Sequence, residues 1–363
     1  MIFYLSTERN KHPIKSYLED WGANFTLSIK LITYEQMIRL NKLPVGTYIF
    51  SDIELLTPEQ GEKIAKVWEQ LSRVKNNCLI NHPTRSMKRY ELLRNLYNCG
   101  WNQFNVYYIN ECKIPELFPV FIRIVNDHKG ARTPLINTLH ELNKIIDDLC
   151  LAGKSKEDRI ITEFCNTSDE QSIFRKYSAL IIGERIIPMG VFLGHNWMLK
   201  SSEELDSVEK IRRFEEVKYI ESNPHESELR KIFQLARINY GRIDYAILDS
   251  KIQTWEINTN PSGLYTVETD KDNLVMGIPM NNYLSKQIKL AFEAIDCKEI
   301  YPSLLQISVK VKNPSLMFPL TKGQKLLLFF RFLLPYPYKI YPYKLLIKVH
   351  IKKIKFLINK NKF

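Results

Sequence analysis

The stretch that decides how this chain reads is Arg242-Ile243-Asp244-Tyr245-Ala246-Ile247-Leu248-Asp249-Ser250-Lys251-Ile252-Gln253-Thr254-Trp255-Glu256-Ile257-Asn258. Residues 241–248 and 252–258 are apolar-rich runs around a polar turn, so they are expected to pair as antiparallel strands. With Asp249-Ser250-Lys251 as a three-residue turn, Leu248 faces Ile252 and Asp244 faces Glu256. Residues two apart on a strand share a face, so Arg242, Asp244, Glu256 and Asn258 line one side of the hairpin. Opposed like charges about 5 Å apart at Cβ are destabilising. Such a pair persists when one carboxyl keeps its proton or a cation sits between the two. Asn258 adds an amide oxygen, and two carboxylates with one amide oxygen suit Mg2+, which also takes water and phosphate oxygens. A solvent-facing edge hairpin can carry the same residues by chance. The polar run from Asn258 to Gly263, straight off the strand end where sites tend to lie, favours a site.

Upstream of this hairpin the chain changes texture twice. Strands are expected at residues 2–5, 25–32, 48–50, 78–80 and 104–108, separated by helices at 12–21, 34–40, a helix opening at Thr57, and one at 86–97. Thr57-Pro58-Glu59-Gln60 is a helix start with an N-cap, a proline at the first helical position and a capping-box glutamine. Gly100 stops the last helix. This alternation implies a doubly wound α/β domain with a mostly parallel sheet. No Gly-x-Gly-x-x-Gly follows any of its strands, so the usual dinucleotide cradle is missing and a nucleotide would bind further along. From Phe118 onward, strands at 120–125, 159–164, 177–182 and 185–188 alternate with helices around 135–149, 203–220 and 226–236, which suggests α+β subdomains.

The ordered motifs resemble the ATP-grasp superfamily over roughly residues 75–265. Arg242-x-Asp244 and Glu256-x-Asn258-x-Asn260-Pro261 look like its metal-binding signature. Asn81-His82-Pro83 and Gly100-Trp101-Asn102-Gln103-Phe104 resemble the end of its pre-ATP-grasp domain. Phe118-Pro119-Val120-Phe121-Ile122-Arg123 resembles the strand presenting a phosphate-binding cation, and Ile161-Thr162-Glu163-Phe164-Cys165 resembles the hinge that hydrogen-bonds adenine, where the backbone of Cys165 and not its thiol meets the base. Glu170 falls where an acid binds the ribose hydroxyls.

The resemblance implies a pre-ATP-grasp α/β domain over residues 1–110, an ATP-grasp domain of two subdomains over 111–296, with its hinge near 161–166, and a basic apolar tail over 297–363. It implies that Asp244, Glu256 and Asn258 hold Mg2+ on the phosphates of ATP. Arg123, Lys129, Glu163, Phe164, Cys165, Glu170 and Lys176 are the expected nucleotide contacts, and Arg242 and Lys200 the expected catalytic cations. The reaction implied is a ligation in which a small-molecule or peptide carboxylate is phosphorylated and then attacked by an amine. A kinase acting on a hydroxyl and a non-catalytic nucleotide-binding module are the alternatives. The chain departs from the family at Arg123, where lysine is frequent, at the single glycine of Asp127-His128-Lys129-Gly130, and at Ser178, where relatives often carry a substrate-contacting arginine. Because Glu256 is expected to act through a metal, Glu256→Gln should abolish ATP turnover and leave the fold intact.

Composition excludes other classes. The chain has 363 residues, enough for two or three domains, with 45% hydrophobic and 25% charged residues, as in folded proteins. The six cysteines form no Cys-x-x-Cys pair, so neither a zinc site nor a disulfide framework is indicated. No Gly-x-Ser-x-Gly elbow and no His-Glu-x-x-His occurs. His128 and His195 are the histidines most suited to acid–base work, and His195 reads better as a solvated loop residue. The first residues carry no signal-peptide pattern, so a cytoplasmic location is expected. Of the 52 basic and 40 acidic residues, 14 and one lie from Lys298 onward, leaving 38 and 39 before it. The tail therefore carries the whole imbalance. Its interleaved Leu, Ile and Phe favour a membrane surface or a protein partner over nucleic acid.

Overall fold

The computed structural model describes residues 1–297 and 304–306, apart from 20–21, 23–27, 41, 112, 128–129, 200–205 and 263–273. The chain divides into two compact units, Met1–Val311 and Lys312–Phe363, and the second lies wholly outside the described residues. The expectations for Lys129, Lys200, His128 and most of the tail fall on residues outside that description.

The first unit opens with a parallel sheet of β1 (Ile2–Ser6), β2 (Ile29–Thr33), β4 (Thr47–Phe50) and β5 (Cys78–Ile80), in the order β2-β1-β4-β5. Between them run α1 (His12–Glu19), α2 (Tyr34–Met37), the short strand β3 (Lys42–Pro44) and α3 (Pro58–Ser72). The doubly wound reading holds here, and so does the start of α3: Gln60 N–H donates to Thr57 Oγ1 at 3.2 Å and Thr57 N–H donates to Gln60 Oε1 at 3.0 Å. The next helix begins later than expected, as α4 (Arg89–Asn98). Ser86 is used in the preceding turn, where its Oγ accepts from His82 N–H and donates to the Arg237 carbonyl. Gly100, at φ 70°, ends the helix as its sequence position implies.

The expected fifth strand of the parallel sheet belongs elsewhere. Here β6 (Val106–Tyr108) pairs antiparallel with β8 (Arg159–Glu163), which also pairs antiparallel with β7 (Val120–Ile124). The helix α5 (Leu139–Leu151) buries Leu142 in a small core with Val120, Ile122 and Ile161. A second antiparallel sheet runs β10-β9-β11-β12, from β9 (Phe174–Ile182), β10 (Arg185–Gly194), β11 (Tyr240–Leu248) and β12 (Lys251–Asn258). Helices α6 (Asp206–Ser222) and α7 (Glu226–Ala236) pack on it. The chain continues through a short hairpin, β13 (Leu274–Val275) and β14 (Ile278–Pro279), into α8 (Met280–Ile295). Finally β15 (Leu304–Gln306) pairs antiparallel with β3.

Hydrogen bonds from single side chains join the parallel sheet to the second antiparallel sheet. Asn81, with φ 60°, leaves β5 and accepts from the N–H groups of Asn239 and Tyr240 through one amide oxygen. Its amide nitrogen donates to the carbonyls of Tyr240 at 2.8 Å and Phe50 at 3.2 Å. Tyr4 Oη donates to Asn260 Oδ1 at 2.8 Å, and Ile53 N–H donates to Thr259 Oγ1 at 3.2 Å. The C-terminal ends of the parallel strands thus lie against the loop that leaves β12. One core containing Tyr4, Ile49, Ile181, Phe233, Tyr240 and Phe292 spans both sheets. Each fully buried side chain of this kind stabilises by about 1.5–3 kcal/mol.

Candidate functional site

The hairpin β11–β12 sets Asp244 opposite Glu256 and Arg242 opposite Asn258, as the sequence implies, but by a different route. The turn has two residues, Asp249 and Ser250, both with positive φ (49° and 61°), so Leu248 faces Lys251 and Ile247 faces Ile252. That is the geometry of a tight two-residue hairpin turn whose twist matches the strands. Continued regularly, this register would place Trp255 opposite Asp244. A bulge between Asp244 and Tyr245 takes up one residue and restores Glu256 to that place.

The bulge is sealed from outside. Asn102 Oδ1 accepts from Thr254 N–H at 2.9 Å and its Nδ2 donates to the Thr254 carbonyl at 3.1 Å, so one buried amide imitates a neighbouring strand. Gln103 N–H donates to Gln253 Oε1 at 2.8 Å, and the Trp255 ring stacks on Phe104 at 5.0 Å. Ile243 and Ile257 face the core on the other side of the sheet. The four polar residues therefore share one face because their neighbours are held on the opposite one.

Cations of this same chain meet the two carboxylates. Arg242 Nε donates to Asp244 Oδ1 at 3.0 Å, and Lys176 Nζ stands 3.6 Å from Asp244 Oδ2. Glu256 Oε2 receives Arg123 Nη2 at 3.0 Å and also pairs with Arg89 Nη2. Strand pairing explains the convergence: Asp244 lies opposite Ser178 on β9, which brings Lys176 on the same face alongside. Asn258 Oδ1 accepts from Asn260 N–H at 2.9 Å. These ion pairs set four cationic groups against two carboxylates. Burial, and then the neighbouring Arg89 guanidinium, hold Arg123 down at about 10. The Nε atoms of Arg89 and Arg123 are buried without a hydrogen-bond partner. Two buried guanidiniums around one shared carboxylate, with donors to spare and Asp127 also bearing on Arg123, are costly alone and suit a polyanion.

The donor set also fits a hard divalent ion, since Asp244, Glu256 and Asn258 present two carboxylates and one amide oxygen on a single face. With an amide as third member, no cluster of three His, Cys, Asp or Glu occurs among the described residues. Four neighbouring cations make the site hostile to a metal arriving alone. A metal accompanied by phosphate meets a balanced field.

The remaining expected residues fall out as follows. Arg123, Lys176 and Arg242 join the carboxylate face. Glu163 is fully buried, and its carboxylate accepts from the N–H groups of Asn105, Glu116 and Leu117 and from Tyr107 Oη. Its side chain is committed to holding β6 and β8 together, and its own N–H donates to the Asn105 carbonyl at 3.0 Å. Phe164 N–H donates to the Pro119 carbonyl, and the buried Cys165 thiol is pushed up to about 12 by burial and then by Asp249. Glu170 lies in an exposed turn before β9. His195 is exposed, as expected.

Two residues were not anticipated. Trp197 contacts Phe121 at 5.0 Å and Phe164 at 5.8 Å, forming an aromatic wall beside the end of β8. Arg89 reaches Glu256 from the first position of α4. A cation there opposes the helix macrodipole, and that oddity is the one signal the sequence carried.

No family model and no curated protein matches the chain. Among solved structures it is similar to the D-alanine–D-alanine ligase of Bacillus anthracis complexed with ATP, at 12% identity and a TM-score of 0.46, covering 81% of this chain and 96% of that one. It is similar to an L-amino acid ligase from Bacillus licheniformis at 11% identity and a TM-score of 0.42, covering 78% and 74%. It is also similar to a RimK domain protein ATP-grasp from Sphaerobacter thermophilus at 11% identity and a TM-score of 0.38, covering 72% and 92%. At these values the likeness carries no chemistry across, and the reading rests on this chain's own residues.

Proposed function

We propose that the chain is an ATP-grasp enzyme that binds ATP with Mg2+ and activates a carboxylate for ligation to an amine. The observation that carries this reading is the convergence of Asp244, Glu256 and Asn258 with Arg123, Lys176 and Arg242 on one strand-borne face. In this reading Asp244, Glu256 and Asn258 hold the metal, which supplies charge neutralisation for the phosphates. Arg123 and Lys176 bind phosphate oxygens, trading their pairs with Glu256 and Asp244 for pairs with the ligand. The base lies along the backbone of 163–165 against Trp197 and Phe164.

Arg242 is positioned to steady the transferring phosphoryl group, because Asp244 and the Ser262 carbonyl fix its guanidinium. A substrate carboxylate oxygen attacks the γ-phosphorus, and the bond to the β–γ bridging oxygen breaks, releasing ADP. An amine then attacks the acyl carbon. Phosphate leaves with the bonding electrons and the amine loses a proton. The chain's part is to align and neutralise.

A thermal-shift titration with ATP and ADP, with and without Mg2+, is the test. Occupancy at 100 times the dissociation constant adds about 2.7 kcal/mol. A larger rise with metal and nucleotide together than with either alone is expected, and no rise with any combination rejects the reading. Hydroxylamine then tells acyl transfer from hydroxyl phosphorylation, since only an acyl phosphate yields a hydroxamate.

A further inference from the structure

Arg89 is 6% exposed and sits on the first turn of a helix anchored in both halves of the unit. Leu92 and Leu96 of α4 pack in the core that spans the two sheets, and Leu93 packs with Phe104, Val125 and the Trp255 ring. From that anchored helix the guanidinium makes two kinds of contact. Its Nη1 donates to three carbonyls at the end of β7 and just beyond it: Val125 at 2.7 Å, Asp127 at 2.8 Å and Ile124 at 3.2 Å. Its Nη2 pairs with Glu256 Oε2. One planar fork thus ties the end of β7, the tip of α4 and a carboxylate of β12.

A cation at a helix N-terminus costs stability, as does burying a guanidinium. The four acceptors offset that cost only in this geometry. With Oε2 of Glu256 gripped by Arg89 and Arg123 together, the plane of the carboxylate is set, and with it the direction of Oε1.

We propose that Arg89 is a positioning residue: it orients Glu256 for the metal and fixes the segment 124–127 against it, without itself touching the nucleotide. This rests on the metal-nucleotide reading given above. Lysine carries the same charge but no fork, so it cannot serve three carbonyls and a carboxylate at once. Charge and geometry can therefore be told apart.

The experiment compares wild type, Arg89→Lys and Arg89→Met by calorimetric titration with ATP, first without metal and then across a Mg2+ series. Loss of a group that orients a metal ligand costs about 10–100-fold in metal affinity. The expected result for Arg89→Lys is a Mg2+ midpoint raised at least about tenfold by the same reasoning, with metal-free ATP affinity within about twofold of wild type, while the far-ultraviolet spectrum is kept. Should Arg89→Met fail to fold, Arg89→Lys alone decides. A folded Arg89→Lys with the wild-type Mg2+ midpoint overturns the proposal. So does an equal loss of metal-free ATP affinity, which would make Arg89 a phosphate ligand. If wild type itself shows no Mg2+-dependent ATP binding, the underlying reading fails and this one with it, an outcome distinct from the first two.

Discussion

Replacing Glu256 by glutamine probes the site most directly, and the structure changes what should be expected of it. Read from sequence alone, Glu256 acts through a metal, and the fold should survive its loss of charge unaltered. In the structure Glu256 is 13% exposed and is the common partner of Arg89 and Arg123, whose side chains are 5% and 10% exposed. Glu256→Gln removes the carboxylate that those two guanidiniums share, although the charge of Asp127 still bears on Arg123. Breaking one partner of a buried pair costs about 3–5 kcal/mol. An amide oxygen that still accepts one hydrogen bond keeps the figure at the lower end, about 3 kcal/mol. At about 2–4 °C per kcal/mol the melting temperature should fall by roughly 6–12 °C. Excess tripolyphosphate should recover part of this fall, and more of it than the anion adds to wild type, because phosphate oxygens can take the place of the missing carboxylate. Differential scanning fluorimetry with and without the anion measures both quantities. A variant that melts within about 1 °C of wild type and ignores tripolyphosphate would refute the view that Glu256 neutralises the two arginines.

Two further outcomes follow from residues around the hairpin. Asn102→Ala removes both bonds to the Thr254 backbone and strands two buried groups. It should cost about 2–4 kcal/mol and speed hydrogen exchange at the Thr254 amide, and unchanged exchange there would show the bulge is held by other means. Asp52 is fully buried, and burial followed by nearby Glu54 pushes its carboxyl up to about 6, against donors from Thr7 and Asn10. A folded pKa above the unfolded value near 4 means stabilisation that is present at about pH 4 and lost as pH rises through about 6. Asp52→Asn, which the left-handed backbone at φ 59° tolerates, should flatten that slope in urea midpoints compared at about pH 4.5 and 7. An Asp52→Asn slope equal to that of wild type would count against the assignment.

How much was legible in the sequence is best seen in the hairpin. The opposition of Asp244 and Glu256 was foreseen, yet it was derived from a three-residue turn that does not exist. A two-residue turn and one bulged residue together shift the register by the same amount as the longer turn. Alternation and turn chemistry are local and can be read. A bulge is settled by Asn102, 152 residues away in sequence, and no local pattern reports it. The α3 capping box was legible for the same local reason. Phe104–Tyr108 was assigned to the parallel sheet because strand patterns do not name their partners, and β6 pairs instead with β8. Glu163 and Arg89 show the same limit for the site. An acid in a hinge motif invites a ligand role, whereas its carboxylate holds Tyr107 and three backbone amides. Arg89, a cation at a helix start, shows its partner only once the fold brings Glu256 to it.

The junction at Asn81 has a mechanical consequence. A single amide there carries hydrogen bonds from the last parallel strand into β11, so a load on the N-terminal sheet passes straight to the strand bearing Asp244. Swinging that sheet away from the hairpin would mean rupturing neutral, buried bonds that no incoming ligand can replace. On the far side of the hairpin the contact of Arg123 with Glu256 is charged, and a polyphosphate can exchange with it like for like. On the proposed nucleotide reading, any opening to admit the ligand is thereby directed to one side, and the stiff seam is the base against which the compliant one moves.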